Sequence, residues 1–228
     1  MGRRIAVSWS TGKDSAWALH ELRAAGEAVV GLFTSVVPAF RRVSMHGVRV
    51  ELARAQADAA GLPLLEAPLP WPCSNEIYER VTLEALDVIH REWGVTEVAF
   101  GDLFLADVRA YRERLLSGTK LAPTFPLWGR DTGQLASQMV AAGIQAHVIC
   151  VDPSRLDRAM AGRVVDAGFL AALPPNGDAC GERGEYHTFV SDGPMFRHAL
   201  AVERGVVAER DGFVYADLLP AASETIRG

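Results

Sequence analysis

Short apolar runs alternate with longer amphipathic stretches through the first two thirds of the chain. The runs have the length of buried strands, and apolar residues recur at helical spacing between them. This pattern predicts strands at residues 5–9, 29–35, 64–69, 95–100 and 144–151. It predicts helices at residues 16–25, 48–60, 76–93, 106–116 and 132–142.

Glycines support the predicted ends of three helices. Gly26, Gly61 and Gly94 each follow the last residue of a helical pattern. Glycine is common at this place because it readily adopts the left-handed conformation that ends many helices.

Strands that alternate with helices of about ten residues or more indicate β-α-β units and a parallel sheet. We therefore predict an α/β fold with a five-stranded parallel sheet flanked by helices. Ligands of such sheets bind beyond the carboxyl ends of the strands. The strand exits at residues 8–10, 34–35, 101–102 and 152 are therefore the candidate binding positions.

The pattern becomes shorter and less regular after about residue 152. A strand is predicted at 186–191, and strands at 206–209 and 213–216 flank a hairpin turn at Asp211-Gly212. We predict one domain over residues 1–152 and a smaller α+β domain over residues 153–228. The stretch 103–130 lies near this boundary and can pack with either domain.

Composition and charge then exclude several classes of function. The net charge of -5 argues against a general nucleic-acid binder, which needs a basic face. No apolar run approaches the ~20 residues of a spanning helix, and polar residues 8–14 interrupt any N-terminal signal sequence. The three cysteines form no C-x-x-C pair, so we expect reduced thiols and no structural metal site. A cytoplasmic protein without a membrane or nucleic-acid partner is expected.

The segment Ser10-Thr11-Gly12-Lys13-Asp14-Ser15 follows the first predicted strand and opens the first helix. A helix N-terminus exposes free N–H groups and favours an anion. Gly12 permits close approach of the backbone, the serines offer hydroxyl groups, and Lys13 offers a positive charge. Lys13 and Lys120 are the only lysines of the chain, which favours a role for a compact ammonium group at residue 13. The segment predicts a phosphate-binding loop, although a capping turn without a ligand remains the alternative.

A second dense stretch is Cys180-Gly181-Glu182-Arg183-Gly184-Glu185-Tyr186-His187-Thr188-Phe189. Its glycines permit close approach, and Glu182 and Glu185 can bind an ammonium ion or act as a base. A solvated acidic turn before an edge strand is the alternative.

Together the two motifs resemble the diphthine–ammonia ligase family of the pyrophosphate-loop ATP enzymes. The first resembles the family's S-G-G-x-D-S loop, with Thr11 at a glycine position, and the second resembles its G-E-x-G-E-[FY] stretch. Further matches are Ser44-Met45-His46, Gly101-Asp102 and Pro126-Leu127-Trp128. The resemblance spans residues 5–196.

The resemblance implies a Rossmann-like (HUP-type) ATP-binding domain and an ATP-dependent amidation that uses Mg²⁺. A carboxylate acceptor, on a protein side chain or a small molecule, is adenylated with release of pyrophosphate, and ammonia then displaces AMP. The oligomeric state is open, with a homodimer among the possibilities.

The resemblance and the strand exits also assign the candidate site residues. Catalytic roles fall to Lys13, Asp14, Glu182 and Glu185. The nucleotide-binding candidates are Ser10, Thr11, Gly12, Lys13, Asp14, Ser15, Thr34, Ser35, His46, Gly101 and Asp102. The acceptor-binding candidates are Trp128, Gly181, Glu182, Gly184, Glu185 and His187. A solvated histidine is the alternative for His46, and a packing anchor is the alternative for Trp128.

Two residues depart from the family pattern. Arg183 stands where glycine is usual, and His187 stands where an acidic residue is usual. Both lie in the expected acceptor site, so the acceptor can differ from diphthine. The alternatives for the whole chain are a non-catalytic ATP-binding regulatory module and an ATP-dependent tRNA-modifying enzyme of the same superfamily. The acidic charge counts against the tRNA-modifying enzyme.

Overall fold

Two β-sheets organise the chain in a computed structural model that describes residues 2–221. The first sheet contains β1 (Ile5–Ser8), β2 (Val29–Val37), β3 (Arg42–Val43), β4 (Leu64–Pro68), β5 (Glu97–Ala99) and β6 (Ala122–Thr124). The second contains β7 (Gln145–Val151), β8 (Tyr186–Asp192), β9 (Val202–Arg210) and β10 (Phe213–Pro220). The helices are α1 (Lys13–Ala24), α2 (Val50–Ala60), α3 (Asn75–Trp93), α4 (Ala106–Leu116), α5 (Thr132–Ala141) and α6 (Ala167–Ala171).

The first sheet is mainly parallel, with β1 at its centre. Its order is β3-β2-β1-β5-β6, and β4 also pairs with β2 in parallel. Only β3 runs antiparallel to its neighbour. The predicted α/β fold is therefore confirmed, and the carboxyl ends of β1, β2 and β5 meet at one edge of the sheet.

The second sheet is antiparallel, with the order β8-β7-β10-β9. The strand predicted at residues 144–151 forms as β7, but it pairs with β8 and β10. Its predicted place in the parallel sheet is therefore wrong. A mostly buried apolar run is compatible with either sheet, so its periodicity does not choose between them. The outer place next to β5 belongs to β6, which contains Pro123 and is too short to show a pattern.

One apolar core connects the two sheets. Ile5 and Val7 of β1 belong to the same buried cluster as Val148 of β7, Val190 of β8 and Val214 of β10. The division into domains at residue 152 stays a prediction, and residues 222–228 lie outside the described part. Within the stretch 103–130, β6 pairs with the first sheet.

The predicted helix ends agree with the backbone. Gly61 and Gly94 follow α2 and α3 with φ angles of 64°, in the left-handed region that glycine tolerates. Among residues 2–221, no helix combines the length and the hydropathy needed to cross a bilayer.

Candidate active site

A cavity of about 250 Å³ lies where β1, β2 and β5 end, and β8 forms its opposite wall. The predicted site residues that line it are Ser10, Lys13, Asp14, Ser15, Thr34, Ser35, His46, Gly101, Asp102, Gly181, Glu182 and His187. The predicted residues outside the lining are Thr11, Gly12, Trp128, Gly184 and Glu185. The two sequence motifs, far apart along the chain, therefore meet in one cavity.

The segment between β1 and α1 forms a tight, internally bonded turn. Thr11 has a φ of 72°, and Gly12 is the N-cap residue of α1. The hydroxyl oxygens of Ser10 and Ser15 lie 3.0 Å apart, and the Ser15 hydroxyl also lies 3.0 Å from the carbonyl oxygen of Gly12, to which it donates. Both hydroxyl groups are thereby fixed at the start of a helix, where anions bind.

Strand β8 of the second sheet holds this loop from the other side. The backbone N–H of Lys13 donates to the Thr188 hydroxyl at 3.0 Å, and the Val190 N–H donates to the Thr11 carbonyl at 3.1 Å. The loop is therefore attached to both sheets.

Gln56 of α2 ties the same loop to the core, a role that sequence reasoning missed. Its side-chain amide donates to the carbonyl oxygens of Thr11 at 3.0 Å and Val190 at 2.6 Å, and it accepts from the Trp9 indole N–H at 2.8 Å. Gln56 is fully buried. A single glutamine within an amphipathic helix gives no sequence signal for this role.

Lys13 is a buried cation. Its Nζ donates to the Asp14 carboxylate at 2.9 Å and to the carbonyl oxygen of Cys180, and it lies 5.1 Å from the centroid of the Tyr186 ring. Burial acts to lower the pKa of Lys13, but its neighbours, with Asp14 first among them, together outweigh burial and the net shift of the pKa is upward. Lys13 therefore keeps its positive charge inside the protein.

Two further carboxyl groups face the cavity. Glu182 accepts from the backbone N–H of Leu103 at 2.8 Å, and burial raises the pKa of Glu182 to about 7. Burial also raises the pKa of Asp102, although Arg112 lies 3.6 Å away. A carboxyl group that titrates near neutrality in a cavity can exchange protons with a ligand.

Glu185 has a different environment from Glu182. It is 2% exposed, and its carboxylate accepts from the backbone N–H groups of Asp178 at 3.1 Å and Arg183 at 3.0 Å. These bonds hold the turn before β8 in shape. Its predicted catalytic role stays a prediction, and the side chain lies outside the cavity lining.

Two glycines of the site are required by close contacts. A Cβ atom added at Gly101 would lie 2.9 Å from the carbonyl carbon of Asp14, and one added at Gly181 would lie 2.8 Å from the Tyr186 carbonyl oxygen. Gly181 also has a φ of 71°. Gly101 thus lets the end of β5 touch the first turn of α1.

Two histidine rings stack at the edge of the cavity. The ring centroids of His46 and His187 are 4.7 Å apart. Burial lowers the pKa of both side chains, that of His46 to about 3, so both rings are neutral at pH 7. The His46 Nδ1 atom is buried and has no hydrogen-bond partner within residues 2–221.

Trp128 packs against Arg109 and Phe125 instead of the cavity. The guanidinium carbon of Arg109 lies 4.8 Å from the centroid of the Trp128 ring, and the centroid of the Phe125 ring lies 6.0 Å from it. Cavity residues to which sequence reasoning assigned no role include Tyr78, Thr82 and Arg112 of the helices and Tyr186 and Thr188 of the second motif. Among residues 2–221, no group of three or more His, Cys, Asp or Glu side chains is arranged to hold a metal ion.

Comparisons with known proteins match nearly the whole chain. The family model of the diphthamide synthase N-terminal domain matches residues 3–119, and that of the diphthamide synthase C-terminal domain matches residues 131–215. A diphthine–ammonia ligase of Bos taurus is 26% identical over 241 residues, which cover 93% of this chain and 88% of the relative. The Homo sapiens relative of the same name is 26% identical over 240 residues, with 92% and 87% covered. The matches confirm the family resemblance inferred from the two motifs.

Proposed function

The chain belongs to the diphthamide synthase family, and from this premise we propose that it is an ATP-dependent amide ligase that releases AMP and pyrophosphate. The observation that carries the proposal is one cavity that combines a helix N-terminus, the buried ammonium of Lys13 and the carboxyl groups of Asp102 and Glu182. This combination suits a polyanionic substrate and a proton transfer.

In the first step, an oxygen of the acceptor carboxylate attacks the α-phosphorus of ATP. The bond between this phosphorus and the bridging oxygen to the β-phosphate breaks, and pyrophosphate leaves with the electron pair. Lys13 and the positive end of the α1 dipole stabilise the charge that develops on the phosphates. The Ser10 and Ser15 hydroxyl groups would turn from their bonds to each other and to Gly12 to donate to the phosphates. The product is an acyl-adenylate.

In the second step, ammonia attacks the acyl carbon, the bond from this carbon to the AMP oxygen breaks, and AMP leaves. The new amide nitrogen loses one proton. Glu182 is the group that we assign to accept it, because its pKa of about 7 lets the carboxylate be present and still take up a proton.

The carboxyl groups of this cavity suit a Mg²⁺ ion that binds together with the nucleotide phosphates. The Asp102 Oδ2 atom is buried and makes no hydrogen bond within residues 2–221, and its contact with the Arg112 Nε atom is long at 3.6 Å, so this carboxylate could turn to a cation. Asp14 and Asp102 are the residues that would hold the ion together with phosphate oxygens. The ion would neutralise negative charge on the leaving pyrophosphate.

The acceptor is a carboxylate that can differ from diphthine, the compound in the relatives' name. His187, one of the departures from the family pattern, lines the cavity and stacks on His46. Arg183, the other, lies over the Phe104 ring at 5.5 Å. A neutral imidazole in place of an acidic side chain changes the charge that meets the acceptor.

The test is a product analysis with ATP, MgCl₂, ammonium chloride and a panel of carboxylates. We expect AMP and pyrophosphate in equal amounts, and a loss of both in Asp14→Asn. Formation of ADP and phosphate would contradict the proposal. Tight ATP binding without turnover of any carboxylate would instead favour the regulatory module.

A further inference from the structure

A second cavity of about 540 Å³ lies beside the active-site cavity. Residues of β3, α2, β7 and the β9–β10 hairpin line it, and it shares Val43 and His46 with the active-site cavity. The shared residues make the two cavities neighbours at Val43 and His46. We call this second cavity the side chamber.

Apolar side chains form most of the side-chamber wall. Val48, Leu52, Ile149 and Leu218 line it, and all four are buried members of one apolar cluster. A volume of this size encloses a small organic molecule, and an apolar wall favours a ligand with an apolar body.

The polar part of the side-chamber wall carries a net positive charge. Asp217 accepts from Arg42 and Arg49, each at 2.7 Å, and Arg210 and Asp211 also line the chamber. Three arginines therefore face two aspartates. The Nε atom of Arg49 is buried and has no hydrogen-bond partner within residues 2–221. The wall thus attracts an anion.

Exposed apolar side chains gather around the side-chamber mouth. Within residues 2–221, the exposed large apolar residues are Phe40, Met45, Trp71, Val206 and Val207. Phe40, Trp71 and Val206 line the chamber, and the Phe40 and Trp71 rings meet edge to face with centroids 5.4 Å apart. Such a rim gives an aromatic or aliphatic ligand additional contacts.

We propose that the side chamber binds the acceptor, and that the acceptor is a small carboxylic acid with an aromatic or aliphatic body. This inference rests on the proposed ligase function. The apolar body occupies the chamber, and the carboxylate extends past His46 to the α-phosphorus bound at the α1 N-terminus. The neutral His46 ring contacts the loop at Gly12 and separates the acceptor body from the phosphates.

The closing experiment uses 3-(4-fluorophenyl)propanoate as the probe and ¹⁹F NMR as the binding measurement, without ATP. We expect Arg49→Met to weaken binding about tenfold, because it removes positive charge from the chamber wall that attracts the carboxylate of the probe. Val206→Glu should weaken it about fivefold through charge repulsion at the mouth. The amide of the probe should bind more weakly than the acid in the unmodified protein.

Matched controls separate these effects from general damage. Val207→Glu changes the next residue of β9, whose side chain points to the other face and does not line the side chamber. Arg54→Met removes an arginine that is paired with Glu66 and also lies outside the lining. Both controls should bind the probe within twofold of the unmodified protein. Equal affinities of all four variants for the probe would overturn the proposal. Complete displacement of the probe by ATP would also overturn it, because the probe would then occupy the active-site cavity.

The outcome also distinguishes this inference from the proposed function. If probe binding depends on Arg49 and Val206 but no acid leads to AMP formation, the side chamber is a binding site and the proposed ligase activity is contradicted. If AMP forms only with a carboxylate on a protein and the probe does not bind, the small-molecule acceptor is contradicted and the proposed ligase activity stands.

Discussion

At the scale of the residue, Lys13 is the feature on which the candidate chemistry depends most. It is 3% exposed, its charge is paired with the Asp14 carboxylate, and its ammonium group also donates to the Cys180 carbonyl. A buried ammonium without such partners would lose its proton, because burial penalises the charged form. The pair therefore maintains a positive charge at the start of α1, where the phosphates are proposed to bind.

Lys13→Met should lower kcat/KM for AMP formation by about 100-fold or more, because it removes a preorganised charge from the leaving pyrophosphate. Lys120→Met is the matched control, since it removes the other lysine, which is exposed and lies outside the cavity. Steady-state measurement of pyrophosphate release checks the expectation. Similar losses in both variants would mean that Lys13 has no special part in the reaction.

Glu182 should make folding stability depend on pH. Its pKa is raised from 4.5 to about 7 in the folded protein, so folding favours the protonated form. Its contribution is fully present below about pH 4.5 and is lost as the pH rises through about 7. Urea unfolding at pH 5, 6, 7 and 8, with a chelator present, should show the unmodified protein losing stability relative to Glu182→Gln over this range.

A constant difference between the two proteins from pH 5 to pH 8 would contradict the shifted pKa of Glu182. The variant keeps a side-chain oxygen that can accept from the Leu103 N–H. Glu92→Gln, on the exposed face of α3, is the control and should follow the unmodified protein at every pH.

The sequence predicts individual site residues where a motif groups them and fails where distant segments meet. Lys13 and Glu182 belong to motifs and do line the cavity. Glu185 belongs to the same motif, but its carboxylate bonds to backbone N–H groups, which spacing does not indicate. Gln56 and Arg112 lie on ordinary amphipathic helices, so only the folded structure reveals their neighbours.

At the scale of the element, the contact between the end of β5 and the start of α1 decides how the loop is presented. Gly101 allows the two backbones to touch, because any side chain would collide with Asp14. The collision would be with backbone atoms, which do not rotate away as a flexible side chain does.

Gly101→Ala should displace the first turn of α1, weaken ATP binding about tenfold and reduce stability by about 1–3 kcal/mol. Calorimetry with ATP and urea unfolding measure the two effects. Gly133→Ala is the control within a helix, where alanine has room and should stabilise by up to about 1 kcal/mol. Unchanged ATP affinity in Gly101→Ala would show that the contact does not determine the loop's geometry.

The elements that the sequence predicts best combine a hydrophobic periodicity with a residue that ends the helix. Helices α2 and α3 have amphipathic patterns that end at Gly61 and Gly94, and both form close to the predicted bounds. Strands β3 and β6 have two and three residues, too few for any period. The sheet to which β7 belongs depends on tertiary pairing with β8 and β10, which the chain pattern does not contain.

At the scale of the whole molecule, the two sheets should open together. They share a core, and β8 is bonded to the loop at residues 10–15 through Thr188 and Val190. Elements that share buried contacts tend to unfold as one cooperative unit. Loss of the second sheet would therefore also release the loop.

Hydrogen exchange at increasing urea concentration should give the same opening free energy for amides in α1 and in β8, within about 1 kcal/mol. Mass spectrometry of peptides from the two elements makes the measurement. Exchange of β8 at clearly lower urea than α1 would contradict a shared opening. The amides of the exposed edge strand β9 serve as an internal reference for easier exchange.

The burial of one of only two lysines gives the chain an unusual response to acylating reagents. An amine-reactive ester meets Lys120 on the surface, whereas Lys13 is enclosed by Asp14, Cys180 and Tyr186. Among lysine side chains, acylation of the folded protein is thus confined to residue 120, and a tag or a dye attached there leaves the loop at residues 10–15 unmodified. Modification of Lys13 requires the loop to open, so the rate of acylation at Lys13 reports how often the loop opens.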